Sequence, residues 1–136
     1  MKPHFYKKLY KHIGVLLYAI AKADGKIHDK EVKAIQQIVV EDLAPLEDSV
    51  DEFGTDAAFF AEFEFEILRD REISPQKALE KFLAFAKEQD KNLTPQLRQL
   101  IIKCVEKVAI SYRGTNKAEA QMIEVLKKHL LPVEKN

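Results

Sequence analysis

From Phe5 to Ala21 apolar side chains return every three or four positions, at Phe5, Leu9, Ile13, Leu16, Leu17, Ile20 and Ala21. That period gathers them on one face of a first helix. Gly25 ends it, since glycine enters the left-handed conformation at a helix C-terminus without a Cβ penalty. A second helix carries Val32, Ile35, Ile38 and Val39 and fades before Pro45. Asp29 and Glu31 stand near its start, where negative charge suits the helix dipole. An irregular acidic connection then runs through Gly54.

The segment Phe59 to Leu68 reads two ways. Phe63-Glu64-Phe65-Glu66-Ile67 alternates like a strand, whereas Phe60, Phe63, Ile67 and Leu68 also share a helical face. Helix is the assignment, because no partner strand exists elsewhere and an isolated strand leaves its backbone groups unpaired. Ser74-Pro75 and Thr94-Pro95 each set a hydroxyl cap before a proline at the first helical position. The helices they open bear stripes at Leu79, Phe82, Leu83 and Ala86, and at Leu97, Leu100, Ile101, Cys104, Val105 and Val108. A last helix starts at Asn116, with Glu119 in capping-box position, and buries Ile123, Leu126 and Leu130. The pattern predicts an all-α bundle of about six or seven helices. At 136 residues and 46% apolar content, residues 1–136 make one domain with one core.

Sliding the chain by 88 residues without a gap lays Ile13 on Ile101, Leu17 on Val105, Ile20 on Val108, His28 on Asn116, Glu31 on Glu119 and Ile35 on Ile123. Two helical hairpins are thus in phase, and the matched glutamates favour a pseudo-repeat. The copies differ at the turn: Tyr112 stands for Asp24, Arg113 for Gly25 with the glycine displaced to Gly114, and Thr115 for Ile27.

Charge adds one local feature. The 22 basic and 22 acidic residues cancel, so no global field draws the chain to nucleic acid or anionic lipid. Between Glu41 and Glu72, however, twelve carboxylates face only Arg69 and Arg71. That stretch is a solvated face or a docking surface for a basic protein partner, with Glu47, Asp48, Asp51 and Glu52 as its candidate contacts. Lys7, Lys8 and Lys11 before the apolar run from Ile13 imitate a secretory signal, but the run is short and aromatics precede it. No stretch reaches the roughly 18 uninterrupted apolar residues of a membrane span. One cysteine, Cys104, permits no internal disulfide, so the expectation is a cytoplasmic protein without membrane insertion.

The candidate chemistry sits in the turn Ala23-Asp24-Gly25-Lys26-Ile27-His28-Asp29-Lys30-Glu31. Asp24, Gly25 and Glu31 have the spacing of the second half of an EF-hand loop, yet Ile20 and Lys22 occupy the places of the first two oxygen ligands. It is not an EF-hand. A looser divalent-cation site remains, with Asp24, Asp29 and Glu31 near a helix N-terminus and His28 offering nitrogen. The same residues also have an architectural role: Gly25 makes the turn, Ile27 plugs the core and Glu31 caps the second helix. Lys22, Lys26 and Lys30 are placed to neutralise the acids.

Enzyme signatures are missing. The glycines are too dispersed for a phosphate loop, no serine sits in a nucleophile elbow, and Cys104 lies mid-stripe as a core thiol. His4, His12 and His129 show no partner spacing and read as surface residues.

Ile20-Ala21-Lys22-Ala23-Asp24-Gly25-Lys26-Ile27, followed by Glu31 and an amphipathic helix, resembles the signature of the TerB-like family. That family is named for tellurite resistance and is also similar to the N-terminal part of some DnaJ-like co-chaperones. The resemblance covers chiefly Ile13 to Val39. It implies a compact helical fold in which two such hairpins approach one another, bacterial origin, association with stress, and divalent-cation binding through acidic residues. Asp24 and Glu31 match the family's acidic positions, as does Glu119 in the second half, whereas Tyr112 does not. The expectation is a non-catalytic TerB-like binding module whose Asp24-Gly25…Glu31 hairpin takes a cation weakly or a protein partner. The alternative is a metal-independent adaptor acting through the acidic 41–72 surface.

Overall fold

The computed structural model describes residues 3–46 and 58–131. Among them are six α-helices and no strand: α1 (Pro3–Lys22), α2 (Asp29–Ile38), α3 (Phe59–Asp70), α4 (Pro75–Glu88), α5 (Pro95–Ile110) and α6 (Lys117–Leu130). A π-helical turn, Val39–Leu43, and a short 3-10 turn, Ala44–Leu46, extend α2. The all-α expectation holds, and the alternating Phe63–Ile67 segment is helix.

The first helix is the axis around which α3 to α6 pack. It contacts α3 and α4 most extensively, then α5 and α6. Val15, Leu16, Leu17, Tyr18, Ala19, Ile20 and Ala21 all have no solvent exposure. Periodicity predicted one buried face, but the C-terminal half of α1 is enclosed on every side, which its unbroken apolar run permits. The two buried tyrosines use their hydroxyls to tie α1 outward. Tyr10 donates to the Leu43 carbonyl at 3.2 Å, and Tyr18 donates to the Ile73 carbonyl at 2.6 Å. Gly14 sits where α1 crosses α3, and a Cβ there would overlap the carbonyl of Ala61.

The inward face of α3 is Ala61, Phe65 and Leu68. Phe63 and Ile67, expected on the buried stripe, turn outward with 59% and 42% exposure. Burying Phe65 places Phe63 about 160° away around the helix, so one helix cannot hide both.

Both hydroxyl caps form as the sequence predicts. Ser74 Oγ accepts from the Lys77 amide and Thr94 Oγ1 from the Leu97 amide, each at 3.1 Å. Arg98, unremarked in the sequence pattern, clamps the α4–α5 connection to the end of α6: its guanidinium donates to the carbonyls of Leu93, Asp90 and Leu130 at 2.8 to 2.9 Å. A charged donor is well suited to the carbonyls that helices leave unpaired at their C-termini. No helix among the described residues is long and apolar enough to cross a membrane.

Candidate functional site

The turns after α1 and α5 lie side by side, so the two hairpins meet at the starts of α2 and α6. Gly25 adopts φ +96°, and its counterpart turn uses two residues, Arg113 at +57° and Gly114 at +78°. Asp24 Oδ1 accepts from the Lys26 amide at 3.1 Å, a local turn that holds the carboxylate in place.

Glu31 and Glu119 perform the same task in the two copies. Glu31 Oε1 accepts from the backbone N–H of His28 at 2.8 Å, and Glu119 Oε1 accepts from that of Asn116 at 3.0 Å. Asn116 completes its box, its Oδ1 accepting from the Glu119 amide at 2.8 Å. Apart from the buried tyrosines and Cys104, these are the only two polar or charged side chains buried among the described residues, each 1% exposed. Their carboxyl groups hydrogen-bond to one another across the interface.

That arrangement sets their protonation. Burial first, then the neighbouring carboxyls of Glu119 and Asp24, push Glu31 up to about 8, against the lowering effect of the His28 amide. Glu119 is likewise raised, chiefly by burial, with Asp24 adding to the effect and the Asn116 amide, Glu31 and His28 opposing it. Two carboxyls in so dry a place share a proton, because ionising both would leave like charges in contact without water.

The rim repeats the symmetry in a cross-wise manner. Asp24 Oδ2 accepts from Asn116 Nδ2 at 3.1 Å, joining the first turn to the cap of the second hairpin. Tyr112, which the 88-residue offset lays on Asp24, stacks its ring on His28, with centroids 3.7 Å apart and planes 12° from parallel. The two contacts are mates, since each turn residue engages the other copy's helix cap. Reciprocal pairing of this kind is the mark of a two-fold relationship between similar units. His28 Nε2 also lies 3.9 Å from Asp24 Oδ2.

Of the sequence-derived candidates, Asp24, His28 and Glu31 therefore converge. Asp29 opens α2 as an exposed residue. Asn116, Glu119 and Tyr112 belong to the same cluster though composition gives no hint of it. The signal that locates them is the offset itself, which pairs positions 24, 28 and 31 with 112, 116 and 119. Each of the three carboxylates commits one oxygen to a backbone amide. The other oxygens are engaged by Asn116, in the case of Asp24, and by each other, in the case of the glutamates. Among the described residues no three histidine, cysteine, aspartate or glutamate side chains are disposed to hold a metal ion. The oxygen donors suit a hard divalent cation, but the raised pKa of Glu31 means that such an ion competes with a proton.

Glu47, Asp48, Asp51 and Glu52 lie outside the described residues. Several of the other acids between Glu41 and Glu72 have partners within the chain. Asp42 Oδ2 accepts from Lys107 Nζ at 2.7 Å, Glu64 lies 3.9 Å from Lys81 Nζ, and Glu62 accepts from Gln36 at 3.5 Å. Cys104 is fully buried, and burial pushes its thiol up to about 12. His12 departs from its expected surface setting: it is half-buried and stacks on Phe85 at 4.0 Å, and desolvation lowers its pKa. His129 is exposed as expected, and the side chain of His4 lies outside the described residues.

No family model, curated protein or solved structure matches the chain.

Proposed function

We propose that the chain is a TerB-like, non-catalytic binding module, cytoplasmic and stress-associated, whose recognition site is the junction of its two hairpins. The observation that supports this reading is the meeting of Glu31 with Glu119 beneath Asp24, a carboxyl cluster drawn from both copies of a repeated motif. Its ligand is a divalent cation held loosely. The ion displaces the shared glutamate proton and takes the freed oxygens together with Asp24. Displacing a proton and opening a hydrogen-bonded cap both oppose binding, which accounts for a weak site.

Calorimetric titration with calcium, magnesium, manganese and zinc tests the reading. The expected result is binding in the millimolar to high micromolar range, with proton release below the Glu31 pKa and weakening on Asp24→Asn. Absence of heat and of thermal shift for every ion, or binding indifferent to Asp24→Asn, removes the cation.

A further inference from the structure

A second surface lies on α3, well apart in sequence from the hairpin turns. Phe59, Phe63 and Ile67 recur every four residues and are 37%, 59% and 42% exposed. Such a stripe is expensive to leave in water: large apolar side chains in a row on one helix face mark a contact surface more often than chance exposure. Beside it runs a concavity of about 520 Å³ lined by Lys7, Lys8 and Lys11 of α1 and by Phe60, Phe63, Glu64 and Ile67 of α3. A second hollow of about 480 Å³ shares Glu64 and Ile67 and continues toward α4, where Arg71, Lys77 and Lys81 border it together with one acid, Glu80. One groove thus follows α3, and basic residues outnumber acids on its outer wall.

The opposite border of the stripe has the other sign. Glu62 and Glu66 follow the helical period away from α1, and Glu62 reaches Gln36 of α2. An apolar strip with a positive wall on one side and a negative one on the other is matched by an amphipathic helix. The partner's apolar face lies on Phe63 and Ile67, and its acidic edge faces the lysines. A phosphate-rich surface, whether nucleic acid or anionic lipid, brings negative charge to both walls and meets repulsion from Glu62 and Glu66. Lys7 already lies 5.0 Å from the centre of the Phe60 ring, so its ammonium is held at the groove rather than free in solvent.

We infer that the groove between α3 and the basic faces of α1 and α4 is a docking site for an amphipathic helix with an acidic edge from a partner protein. The site uses none of the hairpin residues, and it stands or falls separately from the cation reading.

The test uses three stapled helical peptides with one common leucine and phenylalanine stripe. Their edges carry glutamate on both sides, glutamate on one and lysine on the other, or lysine on both. Fluorescence anisotropy is expected to give micromolar binding for the peptide with glutamate on one edge and lysine on the other, weaker binding for the peptide with glutamate on both, whose second edge Glu62 and Glu66 repel, and at least about tenfold weaker binding for the all-lysine one. Phe63→Glu abolishes the binding. The double variant Lys7→Glu, Lys11→Glu weakens it and reduces its salt dependence, while circular dichroism shows both variants folded, since all three side chains are exposed. Amide shifts in the protein cluster at Lys7, Phe63 and Ile67.

No binding up to millimolar peptide, equal affinity regardless of edge charge, or affinity untouched by Phe63→Glu overturns the inference. So does preferential binding to phosphatidylcholine and phosphatidylglycerol vesicles. Concentration-dependent self-association lost on Phe63→Glu, without peptide binding, assigns the face to a second copy of the chain and equally overturns it.

Discussion

Glu31 and Glu119, 88 residues apart, occupy the third position of their helices, cap those helices in the same way, and meet carboxyl to carboxyl in the core. The backbone amides of His28 and Asn116 hold the two glutamates in place by one oxygen each, so the pair cannot relieve its repulsion by swinging into water. A shared proton is the remaining relief.

This makes stability depend on pH with a sign opposite to that of ordinary salt-bridged carboxylates. Glu31 is raised from 4.5 to about 8 in the folded chain, so the folded state binds the extra proton. Its contribution is complete below about pH 4.5 and is lost as pH climbs to about 8, at no more than about 1.4 kcal/mol per pH unit. Glutamine at this position keeps an acceptor for the His28 amide and a donor for Glu119 but does not ionise. Urea denaturation of wild type and Glu31→Gln across this range is expected to show curves that converge in acid and separate toward alkaline pH, with the variant the more stable there. Parallel curves would show that the pair does not hold a proton.

Gly14 is the tightest point of the α1–α3 crossing. Because the overlap is with the Ala61 backbone rather than a movable side chain, Gly14→Ala must push the helices apart. The expected loss is about 1–3 kcal/mol, read as a lower denaturation midpoint. Gly25→Ala tests a different cause: nothing crowds a Cβ there, and the loss, on the order of 1 kcal/mol, comes from φ +96° alone. Adding asparagine at position 25, which tolerates that backbone, recovers part of the second loss.

Much of the fold was legible because local signals agreed with tertiary demands. The caps at Ser74, Thr94 and Asn116 act through residues three positions away, and the stripe from Leu97 to Val108 faces the core in one register. Where the reading failed, the deciding information was not local. Phe63 and Ile67 have the chemistry of core residues, and only the packing of Ala61 and Phe65 against α1 determines that they face out. His12 looked solvated because no sequence neighbour shows that Phe85, on α4, will cover its ring. The site was half legible for the same reason. Asp24, His28 and Glu31 share one turn, whereas Asn116, Glu119 and Tyr112 reach it only through the pairing of the two hairpins.

Cys104 is expected to be inert while the chain is folded. A thiol with no solvent exposure and a pKa near 12 offers neither access nor thiolate. With an aromatic disulfide reagent at about pH 8, labelling should follow the rate or extent of unfolding, and rise with urea in step with loss of helicity. Rapid labelling of the native protein would place an opening motion at α5.

Tyr112 is where the two copies part company, and changing it tests whether the two turns are equivalent in holding a cation. In the first turn Asp24 reaches the cap of the second hairpin through Asn116, while in the second turn Tyr112 meets His28 by stacking instead. Tyr112→Asp restores a carboxylate at the matching position and raises the number of acids around Glu31 and Glu119. Ligand charge governs affinity for hard divalent ions, so the variant is expected to bind calcium or manganese at least about tenfold more tightly than wild type. Without metal it is destabilised, because it loses the His28 stack and adds negative charge beside a buried acid pair. Saturating cation should therefore raise its melting temperature more than that of the wild-type chain. The paired variant Asp24→Asn with Tyr112→Asp moves the carboxylate from one turn to the other and should regain wild-type affinity if the two positions are equivalent. Calorimetry that finds Tyr112→Asp no tighter than wild type would show that position 112 is not equivalent to position 24 in holding a cation.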